Sequence, residues 1–159
     1  MLEPHLLAVL RIIYDRLKNE DLRWTIVGSM NLALQGMPLK PNDIDICTNE
    51  EGAYAIEKHL HEYVVKSVSY SSTGKIRSHL GELNIQGIKV EIMGDVETKS
   101  SSGRWVGKEA TDQPIFIDVE DMKIGLWSLE HERQSYMNLG RKERARQIKE
   151  WLEKQAKGN

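Results

Sequence analysis

Two short segments carry the residues of this 159-residue chain best suited to chemistry: Asp43-Ile44-Asp45-Ile46 and Ile88-Lys89-Val90-Glu91-Ile92. Alternate side chains of a strand share a face, so Ile44 and Ile46 point one way while Asp43 and Asp45 point the other. The same alternation buries Ile88, Val90 and Ile92 and sets Glu91 opposite them. If the two strands are neighbours in one sheet, three carboxylates converge. Unit charges about 4 Å apart repel by about 4 kcal/mol at an effective dielectric near 20, so the cluster calls for a positive partner. An all-oxygen set suits the hard cations Mg²⁺ and Mn²⁺, and paired metals in such a set favour in-line displacement at phosphorus. That chemistry is phosphoryl or nucleotidyl transfer.

A second feature precedes the acids. Trp24 to Val27 is an apolar run that stops at Gly28-Ser29 and is followed by Met30, Leu32, Ala33 and Leu34, the pattern of strand, tight turn and helix. Such a turn offers free backbone N–H groups and a hydroxyl to phosphate oxygens, and a triphosphate fits it. There is no G-x-x-x-x-G-K-[ST] segment, so the turn is not a P-loop.

The elements that must hold these residues can be read along the chain. Leu6, Leu10, Ile13 and Leu17 predict an opening helix that ends near Asn19. Thr48 or Asn49 can cap a helix through Tyr54, Ile56 and Leu60. Tyr63 to Tyr70, Ile76 to Asn84 and Ile88 to Met93 read as strands, with a turn at Gln86-Gly87. Gly94 to Asp112 reads as a long surface loop, Ile115 to Ile117 as a final strand, and Asp118 as the start of a helical region. Ala145, Ile148 and Leu152 mark the last helix. The expected architecture is one α/β domain over residues 1–159, with 119–159 a C-terminal helical extension. Its mixed sheet has about five strands, with helices chiefly on one face and the acids on the other.

Composition narrows the setting. Apolar residues make up 40% and charged residues 29%, the balance of an ordinary globular domain. Cys47 is the only cysteine, so no intrachain disulfide forms. The absence of a long apolar run or a basic-then-apolar leader makes the cytoplasm the expected location, without a membrane partner. The net charge of -2 hides an asymmetry: residues 133–159 carry +5 and residues 1–132 carry -7. Arg141, Lys142, Arg144, Arg146 and Lys149 could meet an acceptor rich in phosphate, RNA above all, or form a solvated face. Trp105, beside Arg104 and Lys108, could stack on a base or fold onto the body. His59 and His61 lie on different sides of their helix and make no metal pair.

Hydrophobic-Gly-Ser at Val27 to Ser29, thirteen intervening residues, Asp-hydrophobic-Asp-hydrophobic at Asp43 to Ile46 and a later strand acid at Glu91 resemble the nucleotidyltransferase superfamily. This superfamily includes DNA polymerase beta, minimal and antibiotic nucleotidyltransferases, and nucleotidyltransferase-type toxins. The resemblance implies that Gly28 and Ser29 hold the triphosphate of an NTP such as ATP, and that Asp43, Asp45 and Glu91 bind two Mg²⁺ ions that prepare the acceptor hydroxyl. Many relatives carry an Arg and a Thr before the first Asp; here the stretch is Leu39-Lys40-Pro41-Asn42, which leaves Lys40 to replace the Arg and Pro41 at the Thr position. Gly140-Arg141-Lys142-Glu143 is similar to the Arg-x-Lys-Asp region of toxin-like relatives. The expected function is metal-dependent transfer of a nucleoside monophosphate from an NTP to a hydroxyl. The alternative is an inactive binding or regulatory module with a partner protein, as in a toxin-antitoxin pair.

Overall fold

The computed structural model describes residues 2–107 and 113–158. Helix α1 (Pro4–Leu17) begins with proline at its first position, where a missing N–H costs nothing, and buries Leu6, Val9, Leu10, Ile13 and Leu17. Strand β1 (Trp24–Val27) runs directly into the short helix α2 (Gly28–Leu34). Strand β2 (Ile44–Thr48) leads into α3 (Glu50–His59), whose first turn is capped by the Asn49 side chain accepting from Gly52 N at 2.7 Å. Three long strands follow: β3 (Val64–Ser72), β4 (Ile76–Ile85) and β5 (Ile88–Lys99). The β4–β5 turn places both Gln86 and Gly87 at positive φ, as a two-residue hairpin requires.

Three features differ from the expectations drawn from residue order. Strand β5 does not stop at Met93 but continues to Lys99, and its end pairs with a two-residue strand β6 (Trp105–Val106). Eight of the fourteen described residues of the expected surface loop are therefore sheet, because Val96 and Thr98 continue to supply buried side chains; residues 108–112 of that loop lie outside the described residues. The region after Asp118 is not helical. Strand β7 (Ile115–Val119) turns back into β8 (Met122–Leu126), with Met122, Ile124 and Leu126 buried at a period of two. The turn uses Glu120 at φ 56° in place of the glycine or asparagine that would have signalled it. Helices resume only at α4 (Leu129–Asn138) and α5 (Lys142–Lys157). The sheet accordingly has eight strands rather than about five, in the order β3-β4-β5-β2-β1-β8-β7 with β6 on the end of β5.

Two pairings, β2 with β5 and β1 with β8, are parallel and the rest are antiparallel. One face of the sheet packs Ile26, Ile44, Ile46, Val90, Ile92 and Ile124 against α1 and α3 in the main core. On the other face Val27, Cys47, Val96 and Trp127 form a smaller cluster with Met93 and Ile76. A third cluster joins Leu32 of α2 to Tyr136, Ala145 and Ile148, fixing α4 and α5 to the body.

Candidate active site

Asp45 and Glu91 are register partners on the adjacent parallel strands β2 and β5. Both alternate with buried aliphatic residues, so their side chains leave the sheet on the face away from α1 and α3. Asp43 stands one residue before β2, exposed, and close enough to raise the pKa of Asp45. The register thus brings Asp45 and Glu91 together with Asp43 near enough to act on Asp45, but the three do not gather a ligand oxygen each within 4.8 Å of one another. Burial pushes the Asp45 carboxyl up to about 7, with Glu91 and then Asp43 adding to the shift, while Lys89 and Arg141 oppose it.

Gly28 sits against this cluster. Val27 pairs with Asp45 across β1 and β2, and the turn after it needs φ +70° at Gly28. A Cβ there would lie 2.6 Å from Asp45 Oδ2, so glycine is demanded both by the backbone and by the carboxylate beside it. The Gly28 N–H donates to Glu132 Oε2 at 2.7 Å. The same oxygen accepts from Asn31 Nδ2 at 2.8 Å, and Asn31 Nδ2 also reaches the Trp127 carbonyl at 3.0 Å. Glu132 therefore ties the start of α4 to the turn and to α2. It is buried, and desolvation pushes its carboxyl up to about 8 despite the hydrogen bonds from Asn31 and Gly28.

Between the acid face of the sheet and α4 lies a cavity of about 380 Å³. Asp45, Glu91 and Gly28 line one part of it; Ile76, Met93, Val96, Val106, Trp127 and Leu139 form its apolar walls, and Arg141 lines it as well. The Arg141 guanidinium stands 5.4 Å from the centre of the Tyr136 ring, which fixes its direction. Burial pushes the Tyr136 hydroxyl up to about 12. Trp127 Nε1 is buried without a hydrogen-bond partner, and its ring meets His131 edge-to-face at 4.3 Å.

Lys40 and Ser29 do not line the cavity; Lys40 is exposed and Ser29 half-buried. The residues that sequence reasoning passed over are Glu132 and Trp127. Ser128-Leu129-Glu130-His131-Glu132-Arg133 looks like a solvated first turn, and only the tertiary packing of α4 on the sheet separates buried Glu132 from exposed Glu130. Trp127 follows an apolar strand and reads as core, which it is, but the core it joins is the cavity wall.

The basic segment is less available than its composition suggests. The Arg146 guanidinium pairs with both Glu143 and Glu150 on α5. Trp105 is held by Arg77 at 4.3 Å and Lys99 at 5.7 Å from its ring centre, so its faces are engaged by cations of the body. Lys108, the other end of the loop expected to meet RNA, lies outside the described residues. His59 Nε2 is 3.4 Å from Glu20 and His61 is exposed beside Glu62, in keeping with separate surface roles. Cys47 is fully buried and its thiol pKa is pushed up by that burial, which leaves it unsuited to nucleophilic chemistry. No described helix is long and apolar enough to cross a membrane.

Residues 9–152 match the family model of aminoglycoside-2''-adenylyltransferase. A solved protein of Thermotoga maritima assigned as a nucleotidyltransferase is 50% identical, with a TM-score of 0.83 over 97% of this chain and 96% of that one. ANT(2'')-Ia in complex with adenylyl-2''-tobramycin shares 12% identity and a TM-score of 0.54 over 96% of this chain and 99% of that one, a likeness of fold. No curated protein sequence matches the chain.

Proposed function

The chain belongs to the aminoglycoside-2''-adenylyltransferase family of nucleotidyltransferases, and from that premise we propose that it moves a nucleoside monophosphate from an NTP to a hydroxyl of a small acceptor with Mg²⁺ or Mn²⁺. The observation that carries this reading is the in-register pairing of Asp45 with Glu91, against Gly28 and at the wall of the cavity. A carboxyl held up near 7 by burial, and further by its acidic neighbours, is a group that a divalent cation would relieve of its proton. Asp43, Asp45 and Glu91 would hold the metal, and their all-oxygen donor set fits a hard cation. When bound, the metal supplies charge neutralisation at phosphate and activation of the acceptor hydroxyl.

The protein groups have separable tasks. The Gly28 N–H is already engaged by Glu132, so the turn offers the triphosphate chiefly the Ser29 hydroxyl and the N–H groups of the first turn of α2. Arg141, in the cavity wall and directed by Tyr136, takes the countercharge role that the family pattern suggested for Lys40. Glu132 is a positioning residue: it sets the turn through Gly28 and never needs to touch substrate.

Related adenylyltransferases act on aminoglycosides, which are polycations. The cavity here has apolar walls and a cation, and among the described residues that line it the carboxylates beyond Asp45 and Glu91 reduce to Glu132, which burial keeps largely protonated at pH 7. That chemistry favours an acceptor with an apolar body and a hydroxyl near Glu91. Thermal unfolding with Mg²⁺ and each NTP tests donor binding, since a ligand at 100 times its Kd stabilises by about 2.7 kcal/mol. Transfer from α-labelled NTP into the small-molecule fraction of a cell extract tests the reaction. Stabilisation by at least one NTP and a labelled small product are expected; no shift with any nucleotide and no labelled product would overturn the reading. Stabilisation without product would favour the inactive binding module.

A further inference from the structure

On the α3 side of the sheet, away from the cavity, lies a second cluster of metal-ligating side chains. Glu50 in the first turn of α3, His79 of β4 and Asp95 of β5 each offer one ligand atom, and the three atoms lie within 4.8 Å of one another. Two packing details bring them together. Gly94 of β5 lies so close to the start of α3 that a Cβ would stand 2.8 Å from the Asn49 carbonyl, which lowers Glu50 onto the sheet. The β4–β5 register then jumps between Arg77↔Glu97 and His79↔Gly94, leaving Asp95 in a bulge at φ 52°. Met93, Val96 and Thr98 keep to the cavity face, so the bulge takes Asp95 out of that alternation and re-aims its carboxylate.

His79 has the character of a ligand more than of a core histidine. Its side-chain Nδ1 is buried without a hydrogen-bond partner, and Nε2 faces Glu50 Oε1 at 3.5 Å, within ion-pair range when the ring is protonated. Two donors each about 2.1 Å from an ion at a tetrahedral angle are about 3.4 Å apart, which is this separation. The rings of Tyr54 and Tyr70 meet the imidazole edge-on at 6.0 and 5.4 Å and fix its plane. Glu50 is exposed, with rotamer freedom to close the remaining distance.

We propose that Glu50, His79 and Asp95 bind a divalent transition-metal ion of the Zn²⁺ class, at a site separate from the carboxylates of the transfer reaction. An imidazole with two carboxylates suits Zn²⁺, Co²⁺ and Ni²⁺ over Mg²⁺, whereas the all-oxygen set on the other face has the reverse preference. The ion ties the start of α3 to β4 and β5 and leaves at least one coordination position to water.

Calorimetric titration of tag-free protein with ZnCl₂ alone tests this, because binding is read without any transfer reaction. The Asp45→Asn/Glu91→Gln variant, in which the other cluster is weakened, is expected to bind one Zn²⁺ and to give a Co²⁺ visible spectrum with nitrogen-ligand character. Adding His79→Gln should weaken binding by at least the roughly 10- to 100-fold that even an outer-shell partner is worth. Glu50→Gln, a change at an exposed position that leaves the fold intact, should weaken it as well. Absence of Zn²⁺ binding by the protein with the triad intact, or affinity unchanged by both His79→Gln and Glu50→Gln, would overturn the proposal.

Discussion

On one face of the sheet Asp45 and Glu91 stand side by side in a cavity covered by α4; on the other, Glu50 and Asp95 stand with His79 beside α3. The backbone scaffold is shared, yet the two clusters differ in donor chemistry and in burial. On the cavity side the paired acids Asp45 and Glu91 offer oxygen donors, and burial makes Asp45 resist ionisation near neutral pH. The helix side includes a nitrogen donor and leaves Glu50 in solvent. Burial raises the cost of charge on Asp45 in the first cluster, whereas the second keeps Glu50 in contact with water. The two faces therefore respond differently to metal, to pH and to substitution.

The largest expected effect is on the cavity side. Asp45→Asn should lower transfer by about a thousandfold or more, at the top of the range for losing one electrostatic partner of a transition state. The same variant should unfold at a higher temperature than wild type in EDTA, because it removes a buried charge that Glu91 and Asp43 repel. Steady-state assays and thermal melts check both halves. An unchanged rate would remove Asp45 from the reaction.

Glu132 separates positioning from chemistry. Glu132→Ala would leave the Gly28 N–H and the Asn31 amide without their acceptor in a buried setting, and should cost about 2–4 kcal/mol in urea unfolding at pH 7. Glu132→Gln keeps an acceptor oxygen and matches the neutral carboxyl present below about pH 8; it should stay within about 1 kcal/mol of wild type. Equal losses in the two variants would mean that the hydrogen bonds at Gly28 and Asn31 are not what Glu132 supplies.

Much of the cavity side was legible from residue order. Alternation set Asp45 and Glu91 opposite their aliphatic neighbours, and Gly28-Ser29 marked the strand-to-helix turn beside them. The rest depended on contacts remote in sequence. Nothing in the residues around Glu132 distinguishes a carboxylate that folds back on Gly28 from one that faces water, because the distinction is made by α4 lying against the Gly28 turn, 104 residues away in sequence. The β7–β8 hairpin was hidden by a turn without glycine or asparagine, and the second half of β5 by polar residues that pair as a strand. His79 read as an unremarkable strand position and Asp95 as part of a surface loop until a bulge brought them to Glu50.

Acidity sharpens the contrast between the faces. The folded-state pKa values of Asp45 and Glu132 are raised, to about 7 and about 8, above their ordinary 3.8 and 4.5. The folded protein thus binds more protons than the unfolded chain between about pH 4 and 8, and stability falls as pH rises through that window. Melting temperature in EDTA should decline from pH 5 to pH 8. Asp45→Asn should flatten part of the decline, and Mg²⁺ should flatten the same part in wild type by favouring the charged carboxylate. His79→Gln should leave the metal-free slope with its sign unchanged. A melting temperature that rises from pH 5 to pH 8 would mean that neither carboxyl holds its proton in the fold.

The smallest effect is expected on α5, whose Arg144 and Lys154 line a separate hollow with Met37, Leu39 and Trp151 rather than the cavity of Asp45 and Glu91. Arg144 donates to Gln147 Oε1 at 3.3 Å, and Arg146 is shared between Glu143 and Glu150. Exposed pairs of this kind contribute about 0–1 kcal/mol each. For an acceptor small enough to enter the cavity, Arg144→Glu/Arg146→Glu should change kcat/KM by less than about twofold and should barely alter its dependence on salt. An RNA acceptor lying along α5 would behave otherwise: every phosphate that the reversed side chains no longer neutralise would flatten the logarithmic salt slope by about 0.7 to 0.9. Transfer rates measured from about 50 to 200 mM salt distinguish the two. A marked flattening in the double reversal, with NTP binding intact, would move the acceptor from the cavity to the helix.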